Sequence, residues 1–157
     1  MALQIGQPAP GFTLFDTNKK EVSLSDFKGQ NVLLLFFPLA FTSTCTAELC
    51  SVRDNIRMYE GFTAQVIGIS VDSLYTLAKY KQEENLNFPL LSDFNKETSQ
   101  AYGAIYEQFG FGMRGVSKRA AFVIDEDGLI QYEEVLENAG LQPNFKAITE
   151  TLTRLKV

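Results

Sequence analysis

The chain passes from an apolar run, Val32-Leu33-Leu34-Leu35-Phe36-Phe37, directly into the segment Pro38-Leu39-Ala40-Phe41-Thr42-Ser43-Thr44-Cys45. A continuous apolar run of this length is typical of a strand that is buried on both faces of a parallel sheet. The proline and the three consecutive hydroxyl residues that follow are typical of a loop and a helix start. The segment therefore predicts a strand-to-helix turn that carries a cysteine.

The cysteine of this turn is predicted to lie in the first turn of its helix. Thr42, Ser43 and Thr44 are each suitable N-caps, and residues 45–59 carry apolar residues at helical spacing with no Gly or Pro. Unpaired backbone N–H groups and the positive end of the helix dipole favour an anion at this position, which predicts a reactive thiolate at Cys45. The alternative is a buried, unreactive cysteine, because free cysteine is among the most buried residue types.

The order of strand and helix signals predicts an α/β fold. The apolar run at 32–37, a helix over about 44–59 and a second apolar run at 65–71 form a βαβ unit, with Cys45 at the carboxyl end of its first strand. That is where open α/β sheets hold their active sites. The other predicted elements are an N-terminal β-hairpin at a sheet edge over 12–24, a helix over 74–84, a strand over 89–91, a helix over 96–102, a hairpin over 120–136 and a terminal helix over 144–155.

Length and composition predict one ordinary globular domain over residues 1–157. The chain is 45% hydrophobic and 21% charged, with a net charge of −5. Its 14 lysines and arginines are scattered, which argues against nucleic acid or an anionic membrane as the main partner. The first residues have neither a basic region nor an apolar core like those of a secretory signal, so we expect a cytoplasmic protein.

The chain has no histidine and only two cysteines. The lack of histidine excludes Cys–His and Ser–His catalytic pairs and the commonest zinc ligand. Two cysteines are too few for a four-cysteine zinc or iron–sulfur site, and we expect no metal or cofactor. Any activation of Cys45 must therefore use dipoles, hydroxyl groups and arginine.

Two segments carry a resemblance to a known family. Pro38, Thr42 and Cys45 match the Pro-x3-Thr-x2-Cys pattern of the peroxiredoxins, and Arg119-Ala120-Ala121-Phe122-Val123-Ile124-Asp125 resembles that family's arginine and late strand. The resemblance implies a thiol peroxidase on a thioredoxin-like fold, in which a central mixed sheet is flanked by helices. It also implies that Cys45 attacks the peroxide, that Thr42 and Arg119 hold the substrate and the thiolate, and that Pro38 shields the site.

Physical chemistry supports the same roles. When a thiolate attacks a peroxide, negative charge leaves sulfur and builds on the departing oxygen, so the site needs hydrogen-bond donors for both atoms. Arg119 would supply a permanent charge with fixed donor geometry. Its alternative is a solvated cation at a strand end, and Arg53, about two helical turns beyond Cys45, is a rival arginine. Thr42 has an alternative role as a helix cap, which is compatible with substrate binding.

Glu48 lies three residues after Cys45, where an unpaired carboxylate would oppose thiolate formation. We therefore expect Glu48 to contact and orient an arginine of the substrate site. The alternative is an acid favourably placed in the first turn of a helix.

Cys50 determines how the catalytic cycle would close. In an intact helix the Cα atoms of Cys45 and Cys50 would be roughly 8 to 9 Å apart, whereas disulfides need less than about 7 Å. An internal disulfide therefore requires the helix start to unwind. The Cys-x4-Cys spacing resembles the bacterioferritin comigratory, or Q-type, branch, which implies that Cys50 resolves the sulfenic acid. Pro-Leu-Ala-Phe-Thr at 38–42 resembles the alkyl hydroperoxide reductase E branch, in which an external thiol can do so.

The resulting prediction is a peroxidase that reduces hydrogen peroxide and organic hydroperoxides and is itself reduced by a thioredoxin-like donor. A thioredoxin-type disulfide oxidoreductase is the nearest alternative, although such proteins normally use Cys-x2-Cys. A non-catalytic interaction module with an incidental cysteine pair is a second alternative. The resemblance and the apolar segment at 102–113 also suggest a homodimer.

Overall fold

A seven-stranded mixed sheet forms the centre of the molecule in a computed structural model that describes residues 3–156. The strand order is β2-β1-β5-β4-β3-β6-β7. The strands are β1 (Thr13–Asp16), β2 (Glu21–Ser23), β3 (Asn31–Phe36), β4 (Ala64–Ser70), β5 (Leu90–Ser92), β6 (Arg119–Ile124) and β7 (Ile130–Leu136).

The apolar run at 32–37 gives the central strand β3, which is buried along its whole length. β3 pairs in parallel with β4 and antiparallel with β6, so both of its edges are covered. Because side chains alternate along a strand, Leu33 and Leu35 face one apolar cluster while Leu34 and Phe36 face another. This two-sided burial explains why the run is continuously apolar.

Helices cover both faces of the sheet. They are α1 (Ser43–Asp54), α2 (Ile56–Gly61), α3 (Leu74–Glu83), α4 (Glu97–Ala101) and α5 (Phe145–Leu155). One apolar cluster unites Leu49 of α1, Leu77 of α3 and Ile148 of α5 with the sheet. Tyr102, at the end of α4, packs into the cluster on the opposite face. The predicted βαβ unit, both hairpins and the terminal helix are confirmed.

The helix predicted over 44–59 is interrupted. Asn55 has φ −114° and ψ 18°, and it separates α1 from α2. Its side-chain amide donates a hydrogen bond of 2.8 Å to the carbonyl of Ser51, one helical turn earlier. A side chain that bonds a nearby backbone carbonyl competes with the helix ladder, which accounts for the break. The start of the helix, which positions Cys45, is unaffected.

The glycine-rich segment at 109–115 contains only a single 3₁₀ turn, Gly110–Gly112. Within residues 3–156, no helix has both the length and the apolar character that a membrane crossing requires.

Candidate active site

The turn after β3 brings the thiol to the carboxyl edge of the sheet. Pro38 is buried, and Phe41 has a positive φ of 66°, a left-handed conformation that is uncommon for an aromatic residue. Thr42 then occupies the N-cap position of α1 in an extended conformation. Cys45 is the third residue of α1 and is completely buried. The predicted position in the first helical turn is confirmed.

The loop is anchored by a carboxylate from the segment that follows the neighbouring strand β4. The backbone N–H of Ala40 donates to Asp72 Oδ2 at 2.8 Å, and the Ser70 hydroxyl donates to the same oxygen at 2.7 Å. Asp72 was not among the predicted site residues. Its position two residues after β4, next to the end of β3, was the available signal.

Arg119 reaches Cys45 from the adjacent strand. It is the first residue of β6, and the register pairs Phe36 of β3 with Ala120, so Arg119 lies where β3 ends. Its Nη2 donates to Cys45 Sγ at 3.2 Å. Nε and Nη2 also donate to the carbonyl of Ala139, at 3.1 and 2.9 Å. The side chain is only 2% exposed, so the alternative of a solvated cation is wrong.

The rival arginine lies elsewhere. Arg53 donates from Nη1 to the backbone carbonyl of Glu84 at 2.6 Å and from Nε to Asp54 at 3.0 Å. Neither contact involves Cys45. Arg119 is therefore the arginine that can stabilise a thiolate at this position.

Glu48 forms the expected contact with an arginine. Arg119 Nη1 donates to Glu48 Oε1 at 2.6 Å, and both side chains are buried. Glu48 Oε2 has no hydrogen-bond partner among the described residues, although it too is buried. Burial raises the pKa of Glu48 to about 7, against the opposing effect of Arg119 and with a further increase from the charge of Glu134.

Thr42 stands at the helix start but does not cap it with its side chain. Its hydroxyl donates to the carbonyl of Leu39 at 2.8 Å. The backbone N–H of Thr46 makes the first helical bond, to the Thr42 carbonyl at 2.9 Å. The N–H groups of Ser43, Thr44 and Cys45 precede that bond and have no partner within the helix.

Tyr80 packs against the other side of the helix start, and it too was not among the predicted site residues. The Thr46 and Tyr80 hydroxyl groups are 2.9 Å apart, and the exposed ring of Phe41 lies 4.9 Å from the Tyr80 ring. Burial raises the pKa of Tyr80 well above its usual range, so its hydroxyl stays protonated. Tyr80 lies on α3, and no sequence signal connected it with the turn at 38–45.

Cys50 occupies a different face of α1. Both cysteines are free thiols, and Cys50 is partly exposed whereas Cys45 is buried. Cys50 Sγ donates to Glu84 Oε2 over 3.5 Å, a long contact. Burial, followed by the hydrogen bond to Glu84, raises the pKa of Cys50. The helix is continuous from Ser43 to Asp54, so the two sulfur atoms are held apart.

A carboxylate, a guanidinium and a thiol thus meet at one helix start, while the second thiol faces another helix. No cluster of three or more potential metal ligands occurs within residues 3–156. The arrangement is suited to stabilising an anion at Cys45 and an oxygen that gains negative charge beside it.

Comparison with known proteins gives a consistent result. Residues 5–133 match the AhpC/TSA family. Alkyl hydroperoxide reductase E of Mycobacterium tuberculosis is 40% identical over 136 residues, covering 85% of this chain and 86% of that protein. Peroxiredoxin Bcp of Escherichia coli is 38% identical over 132 residues, covering 83% of this chain and 84% of its own length.

A solved structure shows the same architecture. The crystal structure of peroxidoxin BcpB from Mycobacterium tuberculosis superposes with a TM-score of 0.85 at 27% identity, covering 98% of both chains. The predicted thioredoxin-like fold and peroxidase function are confirmed. The chain belongs to the AhpC/TSA family, the peroxiredoxins, and is a thiol-dependent peroxidase that consumes a hydroperoxide and a thiol reductant.

Proposed function

We propose that Cys45 is the thiolate that attacks the hydroperoxide. Its sulfur forms a bond to the outer peroxide oxygen, the O–O bond breaks, and the departing alkoxide or hydroxide takes up a proton. Sulfur is oxidised to a sulfenic acid, and the peroxide is reduced to an alcohol or water. The single observation that carries this proposal is the 3.2 Å contact between Arg119 Nη2 and Cys45 Sγ at the start of α1.

The residues around Cys45 would each have a separate role in the reaction. Arg119 stabilises the thiolate and then the oxygen that gains charge, and Glu48 orients the guanidinium through their 2.6 Å contact. The Thr42 hydroxyl donates to Leu39, so its oxygen retains lone pairs that can accept the O–H of a bound hydroperoxide. Pro38, which is buried beside the turn, shields the sulfur from water.

Cys50 would complete the oxidised state. Its thiol attacks the sulfenic sulfur, a disulfide forms, and the hydroxide leaves as water with the thiol proton. The separation of the two cysteines along an intact α1 means that the first turns of the helix must unwind. A thioredoxin-like dithiol then reduces the disulfide. This requirement for a reducing partner favours the cytoplasm as the place of action.

A one-cysteine cycle is the second candidate. Cys50 contacts Glu84 on the far side of an unbroken helix, and this placement favours resolution of the sulfenic acid by an external thiol. The two candidates differ in which sulfur becomes bonded to Cys45.

We also propose a homodimer. Phe41, Phe111 and Met113 are exposed apolar side chains on two loops, and a second copy would remove them from water. The first half of the apolar segment at 102–113 is not available for this contact, because Tyr102, Ala104 and Tyr106 are buried in the core. Sedimentation at micromolar concentration tests the proposal, since a monomer would contradict it.

Two matched cysteine variants test the reaction. Cys45→Ser should consume no peroxide. Cys50→Ser should still form a sulfenic acid at Cys45 but should fail to turn over with thioredoxin as the only reductant. Full turnover of Cys50→Ser with thioredoxin would assign resolution to an external thiol, and peroxide consumption by Cys45→Ser would refute the proposal as a whole.

A further inference from the structure

One buried cation faces two acids in this site. Arg119 Nη1 is 2.6 Å from Glu48 Oε1, and Arg119 Nη2 is 3.2 Å from Cys45 Sγ. Cys45 and Glu48 have no exposed surface, and Arg119 has 2%. The charges of these three groups are therefore poorly screened by solvent and must balance one another.

The net charge of the cluster formed by Cys45, Glu48 and Arg119 depends on how many protons the two acids hold. With Cys45 and Glu48 both ionised, the cluster carries a net charge of −1, and with both protonated it carries +1. Only the two states that hold one proton between the acids are neutral. Because burying a net charge costs several kcal/mol, the neutral states are favoured.

The geometry of Glu48 shows that its ionised form is only half satisfied. Oε1 receives the guanidinium, but Oε2 receives no hydrogen bond from any described residue. A buried oxygen that carries charge without a donor is costly, and protonation removes that cost.

The other groups that face Glu48 add no compensating positive charge. Glu134 of β7 contributes a further negative charge, and Tyr59 of α2 is itself kept neutral by burial and by the charge of Glu48. The resulting pKa of Glu48, about 7, lies within the pH range in which the enzyme would work.

We propose that Glu48 and Cys45 share one proton across Arg119, so that Glu48 holds the proton while Cys45 is the thiolate. This extends the proposed attack by Cys45 and rests on it. In the resting protein the proton belongs to Cys45 with Glu48 ionised, or to Glu48 with Cys45 ionised, and the cluster is neutral in both states. Glu48 is then a positioning residue that sets the charge at Cys45 through Arg119.

The same exchange balances the reaction. Before attack the cluster holds the thiolate, the guanidinium and the protonated Glu48. After attack Cys45 is a neutral sulfenic acid, so Glu48 becomes the anion that pairs with Arg119 and loses its proton. The departing alkoxide gains one proton. Net charge in the buried cluster is zero before and after the step.

The first test compares rates as a function of pH. Sulfenic acid formation at Cys45 is followed by rapid-quench trapping and mass spectrometry, from about pH 5 to about pH 9, a span that includes the raised pKa of Glu48, about 7, and that of an ordinary thiol. All proteins carry Cys50→Ser, so that no disulfide forms. The variants are the parent, Glu48→Gln, which removes the acid, and Glu48→Asp, which keeps it.

The proposal predicts a parent rate that rises in two steps, because loss of the first proton leaves the second divided between Glu48 and Cys45, and loss of the second leaves every Cys45 as the thiolate. Glu48→Gln should rise in one step, and Glu48→Asp should keep two. The ratio of the Glu48→Gln rate to the parent rate should therefore increase through neutral pH and decline again at alkaline pH. A ratio that is constant with pH, as a purely structural role predicts, would overturn the proposal.

The second test observes the proton directly. Infrared difference spectra between reduced and sulfenic protein should show the loss of a protonated-carboxyl band on oxidation, and Glu48→Gln should lack that band. A parent spectrum without this loss would overturn the shared proton. A parent protein in which Cys45 does not react with peroxide would instead overturn the proposed function, so the two failures are distinguishable.

Discussion

Replacing Arg119 by Met should separate the catalytic role of the guanidinium from its structural role. The variant loses the contacts to Cys45, Glu48 and Ala139 and leaves Glu48 buried without its cation. Breaking a buried ion pair by removing one partner costs about 3 to 5 kcal/mol. Glu48 can take up a proton instead of remaining a buried, unpaired anion, and this limits the loss of unfolding free energy. Loss of a preorganised donor to the reacting atoms should slow oxidation of Cys45 by about 100- to 1,000-fold.

The double variant Arg119→Met/Glu48→Gln distinguishes the two effects. Removing the orphaned acid should recover most of the lost unfolding free energy, measured by urea denaturation, but none of the lost rate, measured by trapping of the Cys45 sulfenic acid. Recovery of the rate together with the stability would exclude a direct role of Arg119 in the reaction, because Arg119 would then act only by neutralising Glu48. An unchanged rate in the single variant would exclude that role as well.

Three further outcomes are expected. The unfolding free energy of the wild type should fall relative to Glu48→Gln by roughly 3 kcal/mol as the pH rises from 4.5 to about 7, because burial raises the pKa of Glu48 and the folded state binds the extra proton in that range. Urea denaturation of both proteins at pH 4.5 and at pH 7 measures this difference, and a difference that does not change with pH would contradict the prediction. Phe41→Gly should be more stable than Phe41→Ala by about 1 kcal/mol, because both lose the ring contact with Tyr80 but only glycine relieves the positive φ; equal unfolding midpoints would count against strain at this turn. The Cys45–Cys50 disulfide form should have less helix than the reduced form, since α1 must open, and identical circular dichroism spectra would exclude unwinding as the route to that bond.

Patterns that are local along the chain predicted the fold well. The run at 32–37 indicates a doubly covered strand because its apolar residues do not alternate with polar ones, and β3 is buried on both faces. The hydroxyl residues at 42–44 indicate a helix start because serine and threonine are preferred at helix N-caps. The break at Asn55 was missed because it depends on a side-chain contact with Ser51 that propensity does not encode.

The site was predictable to the extent that it lies on local motifs. Cys45 and Glu48 share a helix turn, and Arg119 was identified from its resemblance to the family pattern. Asp72 and Tyr80 meet the turn at 38–45 only through folding, so their roles follow from the packing of β4 and α3. The direction of the Thr42 hydroxyl, toward Leu39 and not toward the helix, was likewise a matter of geometry.

We propose that Cys45, held against Arg119 at the start of α1, is the sulfur that the peroxide oxidises first. The most direct measurement exposes the reduced wild-type protein to substoichiometric hydrogen peroxide with a sulfenic acid trap present, and locates the adduct by mass spectrometry. We expect an adduct on Cys45 at the earliest times, with Cys50 free or in a disulfide with Cys45. An adduct that forms first on Cys50, or equally on both cysteines, would contradict this proposal.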